Sequence, residues 1–115
     1  MPFPVRNVVI DVNYLEDMTA FWQAITGYDV DAKDDSSVRL IDPSGAGPAL
    51  YLQKVPELRT TKNRLHLDLA AADLEAAAAE AQALGARRLR TFTEPGDAWI
   101  VLVDPEGNEF CVVDA

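Results

Sequence analysis

The stretch Asn63-Arg64-Leu65-His66-Leu67-Asp68-Leu69 alternates strictly, with three leucines on one side and Arg64, His66 and Asp68 on the other. That period of two belongs to a strand with one face on a core and the other toward water or a cavity. The polar face holds the only histidine of the chain, between a cation and a carboxylate. His66 and Asp68 share a parity, so they point into the same space, about 7 Å apart along the strand. No other predicted strand gathers such a group, and side-chain chemistry is expected to pass through it.

Upstream, residues 5–12 read as a strand with Val8, Ile10 and Val12 on one face and Asn7, Val9 and Asp11 on the other. After the polar residues 13–17, a helix is predicted to run to about Thr26. Its stripe of Met18, Phe21, Trp22 and Ile25 has the spacing of a helix lying on a sheet, and Gly27 closes it. Strands follow near 28–32, 38–41 and 49–55, with Asp42-Pro43-Ser44-Gly45 as a tight turn. In the last of these strands Leu50 and Leu52 oppose Tyr51 and Gln53.

Downstream, the same series recurs. Residues 73–84 read as a helix with Asp73 as its N-cap and Leu74, Ala77, Ala81 and Leu84 as its inner stripe, closed by Gly85. Strands at 87–91, 98–103 and 109–113 follow, with Asp104-Pro105-Glu106-Gly107 as the matching turn. Val9-Ile10-Asp11-Val12 pairs with His66-Leu67-Asp68-Leu69, Gly27 with Gly85, and one D-P-x-G turn with the other. The expected fold is therefore α+β: two tandem βαβββ modules, about 5–56 and 62–115, within one domain of residues 1–115. A four-stranded sheet with one helix is covered on one face only, so the two are expected to form a cupped mixed sheet around a cavity.

Composition narrows the function classes. The chain has 115 residues, 49% apolar and 25% charged, with a formal net charge of -9. That length and make-up suit a globular domain with a real core. The acidic balance argues against nucleic acid and against an anionic membrane surface as partners. One cysteine excludes an internal disulfide, and one cysteine with one histidine is too poor for a structural zinc site. The N-terminal residues hold no apolar run of signal-peptide or membrane-span length, so a cytoplasmic location is expected.

The repeat, with Phe21-Trp22 in the first helix, Asn63–Leu69 at the centre and Asp104-Pro105-Glu106-Gly107-Asn108-Glu109-Phe110-Cys111 near the end, resembles the vicinal-oxygen-chelate superfamily. That group includes glyoxalase I, extradiol dioxygenases and bleomycin-resistance proteins, and the likeness is greatest to small bacterial glyoxalase-like domain proteins. It implies a pocket for a small organic ligand and commonly a homodimer. In metal-using members, four strands supply histidine, glutamate or glutamine. The corresponding positions fall near Asn7, at Tyr51 or Gln53, at Arg64 or His66, and at Cys111. Arginine cannot ligate a dication, and Asn7 and Cys111 are weak partners, so no divalent metal is expected.

The resemblance and strand parity together set the expected ligand-binding face as Asn7, Asp11, Tyr51, Gln53, Arg64, His66, Trp99 and Cys111. His66 and Asp68 are the candidates for catalysis, because a carboxylate beside an imidazole orients it for proton transfer. Each residue also has a structural reading. His66 can be hydrogen-bonded across the sheet by Asn7 or Asp11, and Arg64 can clamp a ligand carboxylate or pair with Asp11 or Asp68. Cys111 can be a small buried apolar residue, and Trp99 either a stacking platform or core. Two functions follow: a metal-independent binder of a small organic molecule, or a glyoxalase-like lyase or isomerase acting next to a carbonyl.

Overall fold

The computed structural model describes residues 2–115. Its elements are β1 (Asn7–Val12), α1 (Leu15–Thr26), β2 (Asp29–Lys33), β3 (Ser37–Ile41), β4 (Ala49–Lys54), β5 (Leu67–Ala71), α2 (Leu74–Ala83), β6 (Arg87–Glu94), β7 (Asp97–Val103) and β8 (Glu109–Asp114). The βαβββ series thus occurs twice, in two compact units that divide between Leu58 and Arg59. Each unit holds one four-stranded mixed sheet, ordered β1-β4-β3-β2 in the first and β5-β8-β7-β6 in the second. The parallel pairs are β1 with β4 and β5 with β8, and the remaining neighbours are antiparallel.

In the first module, α1 packs on β3 and β4. Met18, Phe21 and Trp22 are buried there with Val12, Val38, Leu40, Leu50 and Leu52, while Ile25 is only half-buried. The helix starts at Leu15, inside the stretch expected to be loop, and Glu16 and Asp17 then fall in its first turn. Acidic side chains there complement the partial positive charge of the helix start, which is why a polar segment can begin a helix. Gly27 ends it at φ 73°, and its N–H reaches the carbonyl of Gln23, as a left-handed closing residue does.

In the second module, Asp73 caps α2 by accepting the N–H of Ala76 at 3.1 Å. The buried positions are Ala78 and Ala81, with Leu74 and Ala77 half-buried; Leu84, expected on the inner stripe, stands outside the helix as its 37% exposed C-cap. The sheet provides the bulk of this core through Ile100, Leu102, Phe110 and Val112. The turn after β7 is fastened from within. Asp104 is 2% exposed, and its carboxylate accepts the N–H groups of Glu106 and Asn108 and the side-chain amide of Asn108.

The central strand is shorter than its alternation suggested. β5 begins at Leu67, and Arg64 and Leu65 lie in a bend before it, with Leu65 86% exposed instead of on the core face. The cause is local. The Asn63 side chain accepts the N–H of Glu109 and donates to Asn108, each at 3.2 Å. It thereby takes the β8 donor that a longer β5 would have paired, and parallel pairing starts only at Leu67 opposite Phe110.

Candidate ligand site

The face of the second sheet away from α2 carries the expected chemistry. Asp68 lies opposite Cys111, Cys111 opposite Val101, and Val113 opposite Trp99, which fixes these side chains on one surface. His66, just before β5, brings its Nε2 to 3.3 Å from Asp68 Oδ1. Both side chains are about half exposed, so the pair adds little to stability and stays accessible. The histidine nitrogen, the Asp68 carboxylate and the Cys111 thiol all lie within 4.8 Å of one another. Burial pushes the Cys111 thiol pKa up, and the neighbouring Asp68 charge and its hydrogen bond push it the same way. Both influences favour the neutral thiol over the thiolate when no ion is bound.

These groups border an open hollow of about 470 Å³, completed by Asp97, Trp99, Val113 and Asp114. The Trp99 indole is stacked on Phe92 across the β6–β7 hairpin, 5.1 Å between ring centres and 19° between planes. Arg90 sits over the Phe92 ring at 5.7 Å. A concave patch with an aromatic wall and convergent polar groups has the make-up of a small-molecule site.

The expected residues of the first module are arranged differently. Asn7 accepts from Arg39 Nε at 3.1 Å, and the same guanidinium pairs with Asp31. The Tyr51 hydroxyl is 3.0 Å from Ser37 Oγ. Asp11 and Gln53 are exposed at paired positions of β1 and β4. A second hollow of about 600 Å³ lies at the edge of this module, beside Arg6, Arg39 and residues 45–49, and includes none of the expected ligand-binding residues.

A family model described as a glyoxalase-like domain matches residues 7–113. The chain belongs to the glyoxalase-like domain family. With it come the vicinal-oxygen-chelate superfamily and the fold seen in solved relatives. A glyoxalase/bleomycin resistance protein/dioxygenase family enzyme from Burkholderia phytofirmans is 18% identical, with 94% of this chain and 95% of that chain covered and a TM-score of 0.77. The fosfomycin resistance protein FosX of Listeria monocytogenes is 15% identical, with 100% and 95% covered and a TM-score of 0.79. A lactoylglutathione lyase from Agrobacterium tumefaciens is 15% identical, with 100% and 96% covered and a TM-score of 0.72. At such identities the likeness is one of fold. None of the curated proteins matches the sequence.

Within this glyoxalase-like domain the expected site residues separate into three groups. His66, Asp68, Trp99 and Cys111 come together around one hollow. Asn7 and Tyr51 are engaged within their own sheet, while Asp11 and Gln53 stay exposed. Arg64 is exposed outside the strand, so parity does not orient it, and it forms no ion pair with Asp68. Asp97 and Asp114 border the hollow without having been expected there. The signal for Asp97 was its two-residue spacing from Trp99. It was obscured because Glu94-Pro95-Gly96-Asp97 reads as loop, whereas β6 and β7 continue to Glu94 and from Asp97. The donor set His66, Asp68 and Cys111 has the nitrogen, oxygen and sulfur chemistry of a three-ligand zinc-type centre and fits such an ion.

Proposed function

We propose that this protein binds a small organic molecule in the manner of the glyoxalase/bleomycin-resistance type, without a resident divalent metal, on the open face of the second module. The observation that carries the reading is the hollow itself, where the braced Trp99 indole stands beside the His66–Asp68 pair. The metal-free reading is supported by the first module. Of the positions where the superfamily draws its other ligands, Asn7 is held by Arg39 and Tyr51 is bonded to Ser37. A thermal-shift screen of small carboxylates, thioesters, amines and aromatic natural products tests the reading, since a ligand that binds the native state raises the melting temperature. A hit whose effect survives Trp99→Ala and His66→Gln unchanged would place the ligand elsewhere.

A second reading has its own observation. The close approach of His66, Asp68 and Cys111 supports a metal-assisted enzyme of glyoxalase-like lyase or isomerase type. When bound, an ion there would polarise a substrate carbonyl oxygen. His66, Asp68 and Cys111 would hold it, and Trp99 would orient the substrate. Elemental analysis of purified protein decides between the two. Stoichiometric nickel, zinc, iron or manganese, lost in His66→Ala and accompanied by a chelator-sensitive melting temperature, establishes the second reading and ends the first.

The protein is further proposed to be a cytoplasmic homodimer without nucleic-acid or membrane partners. Both sheets have open edge strands, and β2 is exposed along its whole length. Among the described residues no helix is long and apolar enough to cross a membrane. Light scattering that returns a monomer at micromolar concentration would count against the dimer.

A further inference from the structure

The hollow of the second module is unequal in charge. Asp68 and Asp97 share the parity of Cys111 and Trp99 and border it, and the one group among its lining residues able to become positive, His66, is already 3.3 Å from Asp68. Cations near this face are drawn to other groups. Lys62 Nζ lies 3.2 Å from Glu109, while Arg90 is 4.0 Å from Glu109 and rests on the Phe92 ring. Among the described residues, neither Asp68 nor Asp97 forms an ion pair with a lysine or arginine.

The spacing of these carboxylates matters as much as their number. Among the described residues, only His66, Asp68 and Cys111 bring donor atoms close enough to share one ion. Asp97 stands outside that group, at the start of β7. Carboxylates spread around a rim suit a large, diffuse cation better than a point dication, which needs its ligands in direct contact. The indole of Trp99 borders the same hollow, held by its stack on Phe92. The face of an indole attracts an ammonium or guanidinium group through its ring quadrupole, more strongly where water is partly excluded. Val113 beside it offers apolar surface for the remainder of a ligand.

We infer that this hollow takes an organic cation: an ammonium or guanidinium group on a small apolar body, its charge between Asp68 and Asp97 and its body on Trp99 and Val113. The inference rests on the reading of this hollow as the ligand site and adds the chemical class of the ligand.

The test compares three probes of one shape and different charge: benzyltrimethylammonium, benzyl alcohol and benzoate. Each is titrated into the full chain in buffer with EDTA, while the Trp99 indole and His66 imidazole resonances are followed by NMR. The cation should move both and bind at least about tenfold more tightly than the other two, the scale of a cation–π contact reinforced by carboxylates. Its affinity should fall as salt rises, since half-exposed charges are screened. The variant Asp97→Asn should lose most of this preference while its spectrum remains that of a folded chain and its benzyl alcohol binding is unchanged. Equal binding of the three probes, or a preference for benzoate, overturns the cation assignment and leaves the hollow standing as a ligand site. If no probe moves either resonance, both the assignment and the site reading fall.

Discussion

The two modules share strand order, pairing sense and the D-P-x-G turn, yet they fill the layer between helix and sheet in opposite ways. In the first, the helix contributes the bulk: Met18, Phe21 and Trp22 descend onto a sheet of valine and leucine. In the second, the helix contributes Ala78 and Ala81, and the sheet answers with Ile100, Leu102 and Phe110. Close packing requires the layer to be filled but leaves open which partner fills it. The open faces differ in a parallel way. Asn7, Arg39 and Asp31, and likewise Tyr51 and Ser37, satisfy one another on the first sheet. On the second, the Asp68 and Asp97 carboxylates and an indole border a hollow. Duplication of a fold therefore preserves the frame, and each copy distributes volume and polarity for itself.

The largest expected effect breaks the comparison of cores. Trp22→Ala should cost about 3–5 kcal/mol, because it empties a buried aromatic site that the surrounding sheet cannot collapse to fill. In the second module the sensitive change runs the other way. Ala81→Leu should cost about 1–3 kcal/mol by overpacking a helix that lies close to its sheet. Urea unfolding measures both, and a harmless Ala81→Leu would show that α2 has room the close packing denies it.

The two matched turns give the next contrast. Asp104→Ala should destabilise by about 3 kcal/mol, since two half-buried N–H donors and the Asn108 amide lose a buried charged acceptor. Asp42 accepts from the N–H and hydroxyl of Ser44 and the N–H of Ala46, but at an exposed turn where water replaces a lost acceptor, so Asp42→Ala should be far milder. Similar losses at the two positions would mean that the second turn is not the tighter fastening.

The open faces are separated by a pair of substitutions. Tyr51→Phe removes the bond to Ser37 and should lower stability by roughly 0.5–1.5 kcal/mol without changing ligand affinity. Trp99→Ala should do the reverse in emphasis, abolishing the thermal shift given by a ligand of the hollow at a stability cost of about 0.5–1.5 kcal/mol for the lost stack. Calorimetric titration and melting curves on both variants check the assignment of the two roles.

The smallest effect is a pH dependence confined to the first module. The backbone N–H of Ser36, then its hydroxyl and that of Ser37, hold the Asp34 carboxylate below its ordinary pKa. A depressed folded-state pKa stabilises above the unfolded value, and that contribution disappears as pH falls through the folded value. Asp34→Asn should therefore flatten the acid side of the melting-temperature profile slightly and leave its neutral region nearly unchanged. A steeper acid slope in the variant would reverse the assignment.

Local pattern was enough to read the repeated βαβββ order in this chain. The stripe Met18, Phe21, Trp22, the closing glycines and the two D-P-x-G turns are all properties of a few adjacent residues. Parity likewise put Asp68 on one face and Leu67 and Leu69 on the other, because alternation needs no knowledge of a partner strand. Where a strand starts is a different matter, since it depends on what its neighbour has left to pair. Asn63 takes the Glu109 N–H from 46 positions away, and so removes Arg64 and Leu65 from a strand whose alternation they share. The same holds for the hollow. Asp97 joins Trp99 only because a Pro95-Gly96 hairpin extends β6 and β7, and Asp68 meets Cys111 only through the pairing of β5 with β8. Hydrogen-bond donors are consumed once, and carboxylates gather where distant strands end, so tertiary pairing decided both the length of β5 and the charge of the site.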